Sequence, residues 1–324
     1  MKNKLLYKLR SGKNPKFIYY SVNALRLVIP KGIFRLRLQG KLSSLSRRKD
    51  KDYIERRVDY YNKLSGTVQL PSSAPHLSEH KMSKQKVYFF DTYQYTRWFS
   101  DQFQWGFCPG DVTFVPDYPS IVKSRPLTDD TVQSIVQKLD RVRNLIFVED
   151  KKAFTEKKNM VIFRGKVKGK PSRKLFMEMY FHHPMCDLGD VSKNTTDPAE
   201  WRTEKKTINE HLDYKFIMAL EGIDVASNLK WVMSSNSIAV MPRPTCETWF
   251  MEGTLIPNYH YIEIKPDFSD LEERLNYYIE HVDESLEIIR HAHEYVSQFK
   301  DKRRENLISL LVLDKYFKMT GQKS

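Results

Sequence analysis

The sequence feature that most restricts the fold of this chain is an alternation of short apolar runs and polar turns between Tyr214 and Leu271. Lys215 to Leu220, Ser237 to Met241 and Tyr259 to Ile264 are apolar runs bounded by turn residues, and each is predicted to be a strand. The segments after these runs contain residues that favour helix N-termini. Strands that alternate with helices predict a parallel sheet covered by helices, with ligands bound beyond the carboxyl ends of the strands.

Polar residues predict where the helices of this region begin. Ser227 and Asn228 can cap a short helix, and Thr245 can cap a second one. Ser269 and Glu272 have the spacing of a capping box at the start of a third. Helix N-termini at this edge of a sheet offer free N–H groups to anionic ligands.

The first half of the chain has weaker patterns. Val87 to Phe90, Thr113 to Val115 and Asn144 to Val148 are predicted strands, and Asp129 to Arg141 is a predicted helix. Near Asp150 to Lys158 the composition becomes charged, which indicates a linker between two domains. A length of 324 residues is enough for two domains.

The net charge of +14 is confined to the N-terminus. Residues 1–49 contain 14 Lys and Arg and no Asp or Glu, and the other 275 residues carry 40 charges of each sign. Phe17 to Pro30 is the most apolar part of this segment, but it is shorter than the roughly 20 residues of a membrane span. Ile18, Val22, Leu25 and Val28 have near-helical spacing. The segment is therefore expected to lie on an anionic membrane surface, although packing of these side chains on the neighbouring domain is the alternative.

Several separated blocks of the sequence resemble LpsA-like lipopolysaccharide glycosyltransferases, which are related to the eukaryotic protein O-glucosyltransferases of glycosyltransferase family 90. The resemblance covers roughly Asp111 to Phe299. In chain order the blocks are VPDYPSIVKSRPL, VIFRGKVKGKPSR, HPMCDLGDV, EGIDVASNLKW, SSNS, MPRPTCETWFMEG and YHYIEIKPDFSDL.

The resemblance implies an α/β, GT-B-like fold with two Rossmann-like domains facing a cleft. Residues 1–60 are expected to form the basic amphipathic segment, 61–155 an acceptor-side domain, and 156–300 the domain that binds the nucleotide sugar. Residues 301–324 form a C-terminal helix that crosses back to the first domain.

The resemblance also places the donor-binding residues. Their basic side chains and backbone N–H groups would neutralise the leaving diphosphate, a task that other transferases give to a metal ion. The eukaryotic relatives carry Arg where Asn228 stands, so Lys230 is expected to supply the charge. Glu247 is expected to hold the ribose hydroxyls. The full predicted set is Arg164, Gly165, Lys166, Arg173, Ser227, Asn228, Lys230, Ser237 and Glu247, with Lys168 nearby.

Asp117 is the predicted catalytic base. It lies in the Pro-bounded segment VPDYPSIVKSRP, and the D-Y-P loop of the O-glucosyltransferases carries the catalytic Asp. Pro116 replaces the Arg that usually precedes this Asp in the family. A turn-forming Asp is the other interpretation of the pattern. Lys123 and Arg125 are predicted to contact acidic groups of the acceptor, although a solvated loop would explain them equally well.

No metal ion or other cofactor is expected. Asp50 and Asp52 have the D-x-D form of metal-dependent transferases, but they stand in a charge run that predicts a solvated helix face. The segment from His182 to Asp187 has no second ligand cluster with suitable spacing. Three distant cysteines do not form a disulfide framework, which suits the cytoplasm.

The expected function is transfer of a hexose, with inversion, from a nucleotide sugar to a lipopolysaccharide core or another surface glycan. The donor is expected to be UDP-glucose or UDP-galactose, and the site of action the inner face of the cytoplasmic membrane. A nucleic-acid-binding protein is a rival because of the basic pI, but the excess charge lies in one tail and nucleic acid is not the expected partner. A scaffold with a degenerate transferase fold is a second rival.

Overall fold

The computed structural model describes residues 11–83 and 85–322. The first ten residues of the predicted basic segment and the last two of the predicted C-terminal segment lie outside this part of the chain. The described α-helices are α1 (Lys16–Val28), α2 (Lys31–Ser43), α3 (Lys51–Tyr61), α4 (Lys86–Thr96), α5 (Arg141–Asn144), α6 (Pro171–Tyr180), α7 (Ile208–His211), α8 (Leu229–Val232), α9 (Leu271–Glu280), α10 (Val282–Ser297) and α11 (Lys302–Met319). The described strands are β1 (Gly106–Cys108), β2 (Ser120–Val122), β3 (Ser124–Pro126), β4 (Ser134–Val136), β5 (Lys158–Gly165), β6 (Cys186–Asp190), β7 (Tyr214–Met218), β8 (Ile238–Met241), β9 (Cys246–Thr248) and β10 (Ile262–Glu263).

The described residues form two compact units, each assembled from separate stretches of sequence. The first unit contains residues 11–14, 143–244 and 253–298. The second unit contains residues 15–83, 85–142, 245–252 and 299–322.

The first unit is built on a five-stranded parallel sheet with the strand order β10-β8-β7-β5-β6. The three strands predicted from the apolar runs are confirmed as β7, β8 and β10. All five residues of β7 are buried, as expected for a strand covered on both faces. One face of the sheet packs on helices α6, α9 and α10 through a continuous apolar core, which includes Val161, Phe163, Phe176, Phe216, Val240, Leu271 and Leu275. The prediction of an α/β protein with a parallel sheet is therefore confirmed.

The second unit combines helices with two small sheets. Strands β1, β2 and β4 form a parallel sheet, and β3 pairs with β9 in antiparallel fashion. Helix α11 packs against α2, α3 and α4. Between α3 and α11, Arg57 Nη1 lies 2.6 Å from Glu305 Oε1, and the ring of Tyr61 stacks on Trp249 with centroids 4.0 Å apart. These contacts place β9 and α11 in one core with the N-terminal helices.

Several predictions for the first half of the chain are wrong. Val87 to Phe90 belongs to helix α4, because an apolar run this short fits a buried helix as well as a buried strand. The predicted helix over Asp129 to Arg141 contains strand β4, whose buried Ile135 and Val136 pair with β2. Thr113 to Val115 and Asn144 to Val148 contain no strand.

Two predicted helix starts also differ. Thr245 is followed by strand β9 rather than a helix, because Cys246 to Thr248 pairs with β3. The Ser269 capping box does not form: Ser269 Oγ donates to Asp267 Oδ1 at 2.9 Å, and α9 begins after Asp270 without a side-chain cap.

Candidate functional site

In the first unit, a basic loop joins the carboxyl end of β5 to helix α6. Gly165 ends the strand, and a Cβ there would come within 2.4 Å of the Phe163 ring, so a larger residue would have to displace that ring. Lys166 and Lys168 follow and are exposed. Helix α6 begins with a proline at its first turn and has no acidic residue there. A helix N-terminus next to basic side chains favours an anion at this edge of the sheet.

Asp190 at the carboxyl end of β6 fixes this loop. Its Oδ1 accepts hydrogen bonds from the N–H groups of Val167 and Ser192, at 3.0 and 2.8 Å. The other oxygen, Oδ2, is buried and has no hydrogen-bond partner among the described residues. The sequence interpretation missed Asp190, because Val167, the loop residue that it holds, lies 23 positions earlier in the chain.

Arg164 is held by an ion pair with Asp187 on the neighbouring strand β6. The Asp187 carboxylate also accepts a hydrogen bond from the Tyr214 hydroxyl. Burial would raise the pKa of Asp187, but the hydrogen bonds from Tyr214 and Arg164 outweigh it and the pKa lies below its usual range. The Arg164 side chain is 7% exposed, and its buried Nε has no hydrogen-bond partner among the described residues. Arg164 is therefore fixed in place against β6.

Arg173 links the carboxyl ends of two strands. From the first turn of α6 it donates to Lys166 O at 3.0 Å, Glu221 O at 3.0 Å and Leu220 O at 2.7 Å. Burial lowers the pKa of its guanidinium. In the structure Arg173 holds the loop after β5 against the loop after β7, so it acts on the protein backbone.

The predicted residues around helix α8 lie near the same edge of the sheet. Asn228 Nδ2 donates to the carbonyl of Met218, the last residue of β7, at 3.0 Å, and Ser227 is exposed. Lys230 lies within α8 and is completely buried. Of these three, Ser227 offers the most accessible polar side chain.

Ser237 lies at the opposite edge of the sheet. It precedes β8, and its Oγ donates to the carbonyl of Tyr214, at the amino end of β7, at 2.7 Å. Because all strands of this sheet are parallel, their amino ends lie away from the edge that carries Gly165 and Arg173. The structure therefore separates Ser237 from the other predicted donor-binding residues of this unit.

In the second unit, Asp117 is exposed on the loop between β1 and β2. The end of this loop is tightly held. Buried Tyr316 accepts a hydrogen bond from Gly106 N at 2.8 Å and donates one to Pro119 O at 2.9 Å. A Cβ on Gly106 would lie 2.5 Å from Pro119 O, so the close approach requires glycine. The Asp117 carboxylate is thus presented to solvent from a fixed backbone.

Lys123 and Ser124 hold the start of the same loop. The ammonium of buried Lys123 forms an ion pair with Asp111. Ser124 Oγ bonds both backbone groups of Val112, at 3.0 and 2.9 Å. Lys123 therefore has a structural contact within the loop, and its ammonium is withdrawn from the surface.

Arg125 and Glu247 form a cross-strand ion pair. They are opposite each other in the β3 and β9 ladder, with Arg125 Nε 2.7 Å from Glu247 Oε1. Their side chains are 0% and 3% exposed. Tyr60 donates a hydrogen bond to the same carboxylate, and Arg125 Nη2 donates to Tyr60 O at 2.8 Å. Burial, followed by the charge of Glu247, raises the pKa of Tyr60.

The predicted residues thus do not form one group. Gly165, Lys166, Arg173, Ser227, Asn228 and Lys230 lie near one edge of the first unit's sheet, the Arg164 guanidinium is paired with Asp187 on β6, and Ser237 stands apart at the opposite edge. Asp117 lies on a clamped loop of the second unit. Lys123, Arg125 and Glu247 are buried in ion pairs of the second unit, so a ligand would have to displace existing partners to reach them. Their assigned roles in acceptor and ribose binding stay predictions.

The described residues contain neither a metal-binding cluster nor a membrane span. That part of the chain has no group of three or more His, Cys, Asp or Glu side chains placed to hold a metal ion. Within residues 11–83 and 85–322, every helix is too short or too polar to cross a bilayer.

Comparison with known proteins gives two matches. A family model described as Glycosyl transferase family 90 matches residues 128–321, a range that begins after Asp117. The O-glucosyltransferase LpsA of Dichelobacter nodosus is 37% identical over 267 residues, which cover 82% of this chain and 83% of that protein.

Proposed function

Because the chain belongs to glycosyltransferase family 90 and is a glycosyltransferase, we propose that it transfers a hexose from a UDP-sugar, with inversion and without a metal ion. We propose UDP-glucose or UDP-galactose as the donor and a lipopolysaccharide core or related surface glycan as the acceptor. The relative that is named an O-glucosyltransferase supports glucose. A GT-B-like arrangement of two Rossmann-like domains is part of the same proposal.

The observation that carries the proposal is the loop from Gly165 to the N-terminus of α6. The departing UDP carries the electron pair of the broken bond and needs positive charge at the diphosphate. The exposed side chains of Lys166 and Lys168 supply charge, and the N-terminus of α6 supplies an oriented dipole. Arg173 and Asp190 keep this array in place through backbone contacts.

The chemistry on the acceptor side is assigned to Asp117. Its carboxylate would take the proton of an acceptor hydroxyl while the hydroxyl oxygen forms a bond to the anomeric carbon. The bond from that carbon to the diphosphate oxygen breaks at the same time, and UDP leaves. Attack opposite the leaving group inverts the anomeric configuration. The clamped backbone around Asp117 suits this role, because a fixed base needs no reorganisation in the transition state.

The acceptor's lipid anchor also bears on where the enzyme works. We propose peripheral attachment to the cytoplasmic face of the inner membrane, where a nucleotide sugar and a lipid-linked acceptor can meet. The excess of 14 positive charges in residues 1–49 supports attraction to an anionic leaflet.

A thermal-shift series with nucleotides tests the donor. We expect UDP to raise the melting temperature in the presence of EDTA, by an amount that corresponds to about 2.7 kcal/mol at a hundredfold excess over Kd, while GDP has little effect. The Lys166→Gln, Lys168→Gln double variant should weaken the shift, whereas Lys300→Gln, a lysine of the second unit outside the loop, should keep it. Absence of stabilisation by any nucleotide would overturn the proposal.

A further inference from the structure

Helices α1 and α2 of the second unit expose large apolar side chains. Phe17, Leu25 and Val28 of α1 are 83%, 70% and 79% exposed, and Leu36 of α2 is 89% exposed. At about 100° per residue the three side chains of α1 fall within one third of the helix circumference. Apolar side chains that share an exposed face favour a second apolar phase that removes them from water.

The polar side of α1 faces the protein instead. Tyr19 Oη donates to Asp91 Oδ1 at 2.6 Å, and Arg26 Nη1 donates to Gln94 Oε1 at 2.7 Å. Asn23, on the same side, is 3% exposed. Asp91 and Gln94 belong to α4. Helix α1 is therefore oriented in the opposite sense to an ordinary surface helix, which buries its apolar side and shows its polar side to water.

Helix α2 is held by buried Leu38 and Leu42 and, in its first half, by polar contacts. Lys31 Nζ and Arg35 Nη2 each lie 2.6 Å from a carboxylate oxygen of Asp101. Arg35 Nε also donates to Phe99 O at 3.0 Å. These polar contacts fix α2 while Leu36 and its exposed neighbour Arg37 point away from the unit.

Either a second copy of the chain or a lipid surface could cover these apolar side chains, and the charge of this region favours the lipid. Residues 1–49 carry 14 positive and no negative side chains, and Lys16 and Arg37 are exposed beside the apolar set. A second copy of the chain would bring the same positive charge to the contact and be repelled. An anionic lipid surface offers negative headgroups at the edge of an apolar phase.

We infer that α1 and α2 form a preformed insertion surface for an anionic bilayer. Phe17, Leu25, Val28 and Leu36 enter the boundary between headgroups and acyl chains, while Lys16 and Arg37 contact the lipid phosphates. The inference names the part of the chain that makes the membrane attachment, and it rests on the proposed function only for that biological setting.

Vesicle co-sedimentation of the full chain tests the inference without any donor or acceptor. We expect binding to phosphatidylcholine vesicles that contain about one third phosphatidylglycerol and much weaker binding to phosphatidylcholine alone. The triple variant Phe17→Gln, Leu25→Gln, Val28→Gln should lower the partition coefficient by about a hundredfold, because three apolar side chains no longer leave water. Its melting temperature should stay unchanged, because these side chains are exposed in the free protein.

The matched control changes three apolar side chains of the first unit, which are exposed to a smaller degree. The variant Met179→Gln, Ile256→Gln, Leu286→Gln should bind the same vesicles as the unaltered chain does. Equal binding by the triple variant of α1 and the unaltered chain would overturn the inference. So would sedimentation equilibrium that shows a dimer without lipid and a monomer for that variant, since a second copy would then cover the surface.

The two proposals fail separately. If the unaltered chain does not bind the vesicles but shows the UDP thermal shift, the inference of an insertion surface is wrong and the transferase proposal stands. If the unaltered chain binds the vesicles but no nucleotide raises its melting temperature, the proposed donor is wrong and the insertion surface stands.

Discussion

At the scale of single residues, Tyr316 has the most specific task. Its hydroxyl is completely buried and bridges Gly106 N and Pro119 O, two residues after Asp117. Burial raises the pKa of this hydroxyl, so it stays protonated and keeps donating to Pro119. Tyr316 is thus a positioning residue for the loop that presents the proposed base.

Replacement of Tyr316 by Phe should affect turnover more than donor binding. Loss of the bridge leaves two backbone groups without a partner, which should cost about 1–3 kcal/mol of stability. We expect kcat to fall about tenfold or more while KM for the donor changes little, because the base is no longer held at a fixed distance from the acceptor. Steady-state kinetics with saturating acceptor measures both constants.

Tyr295→Phe is the matched control for Tyr316→Phe. Tyr295 lies in the first unit, where its hydroxyl is 2.8 Å from Thr254 Oγ1. This variant should lose stability and keep kcat. Equal kcat values for Tyr316→Phe and the unaltered enzyme would show that the bridge does not position Asp117.

The contacts of Lys123 and Arg125 could not be predicted from their residue types alone. The sequence marks both as basic side chains near Asp117, and a basic loop residue is usually solvated. Their ion-pair partners, Asp111 and Glu247, are 12 and 122 residues away, and no local pattern indicates either pairing. Gly165 was predicted from its position directly after a strand and before a basic turn, and the close contact that the structure shows there is with the Phe163 ring. Its role in donor binding stays a prediction.

At the scale of elements, the pairing of β3 with β9 encloses a buried ion pair. Arg125 and Glu247 have almost no access to water, and Tyr60 completes their hydrogen bonds. A buried pair of this kind contributes little net stability, but removal of one partner leaves an uncompensated charge.

A double-mutant cycle on this pair should show strong coupling. Arg125→Met and Glu247→Met should each cost about 3–5 kcal/mol, and the double variant should recover most of that loss. Tyr60 loses an acceptor in two of the variants, so some cost should persist. Urea unfolding measures all four free energies of unfolding. Additive losses would contradict the coupling. An unchanged stability in Glu247→Met combined with a raised KM for the donor would indicate that Glu247 serves the ligand instead.

Three of the five parallel strands of the first unit were predicted from apolar runs, whereas most elements of the second unit were not. Strands β7, β8 and β10 are apolar runs between turn residues, and their order with helices predicts the sheet. Helix α4 is buried over most of its length, so its sequence lacks a polar stripe that would reveal helical periodicity. Strand β9 is three residues long and is a strand because β3 lies beside it. In both cases tertiary contacts determine the local structure.

At the scale of the whole molecule, both units contain histidines that burial keeps neutral. In the second unit, burial and then the charge of Lys31 lower the pKa of His80 to about 4, and its ring lies between Phe89 and Trp105. In the first unit, burial and then His291 lower the pKa of His260 to about 4. The folded chain therefore takes up these protons later than the unfolded chain as the pH falls.

Stability should decrease from about pH 6.5 to about pH 4. A histidine whose pKa is lower in the folded than in the unfolded chain makes its full contribution to stability above the unfolded-state pKa, near 6.5. That contribution is lost as the pH falls towards the pKa of the folded state. Both residues should contribute to this loss. Urea midpoints across this range measure the slope. His80→Gln combined with His260→Gln should reduce it, and the exposed His182→Gln should not. A slope that survives the double variant would assign the effect to other groups.

Sugar transfer by Asp117→Asn, measured beside its UDP affinity, tests the proposed mechanism most directly. Radiolabelled UDP-glucose and UDP-galactose are supplied with lipopolysaccharide acceptor in EDTA, and calorimetry gives Kd for UDP. We predict transfer by the unaltered enzyme, a rate about a thousandfold lower for Asp117→Asn, and equal Kd values for the two proteins. Full transfer by Asp117→Asn, or no transfer from either donor by the unaltered enzyme, would contradict the mechanism.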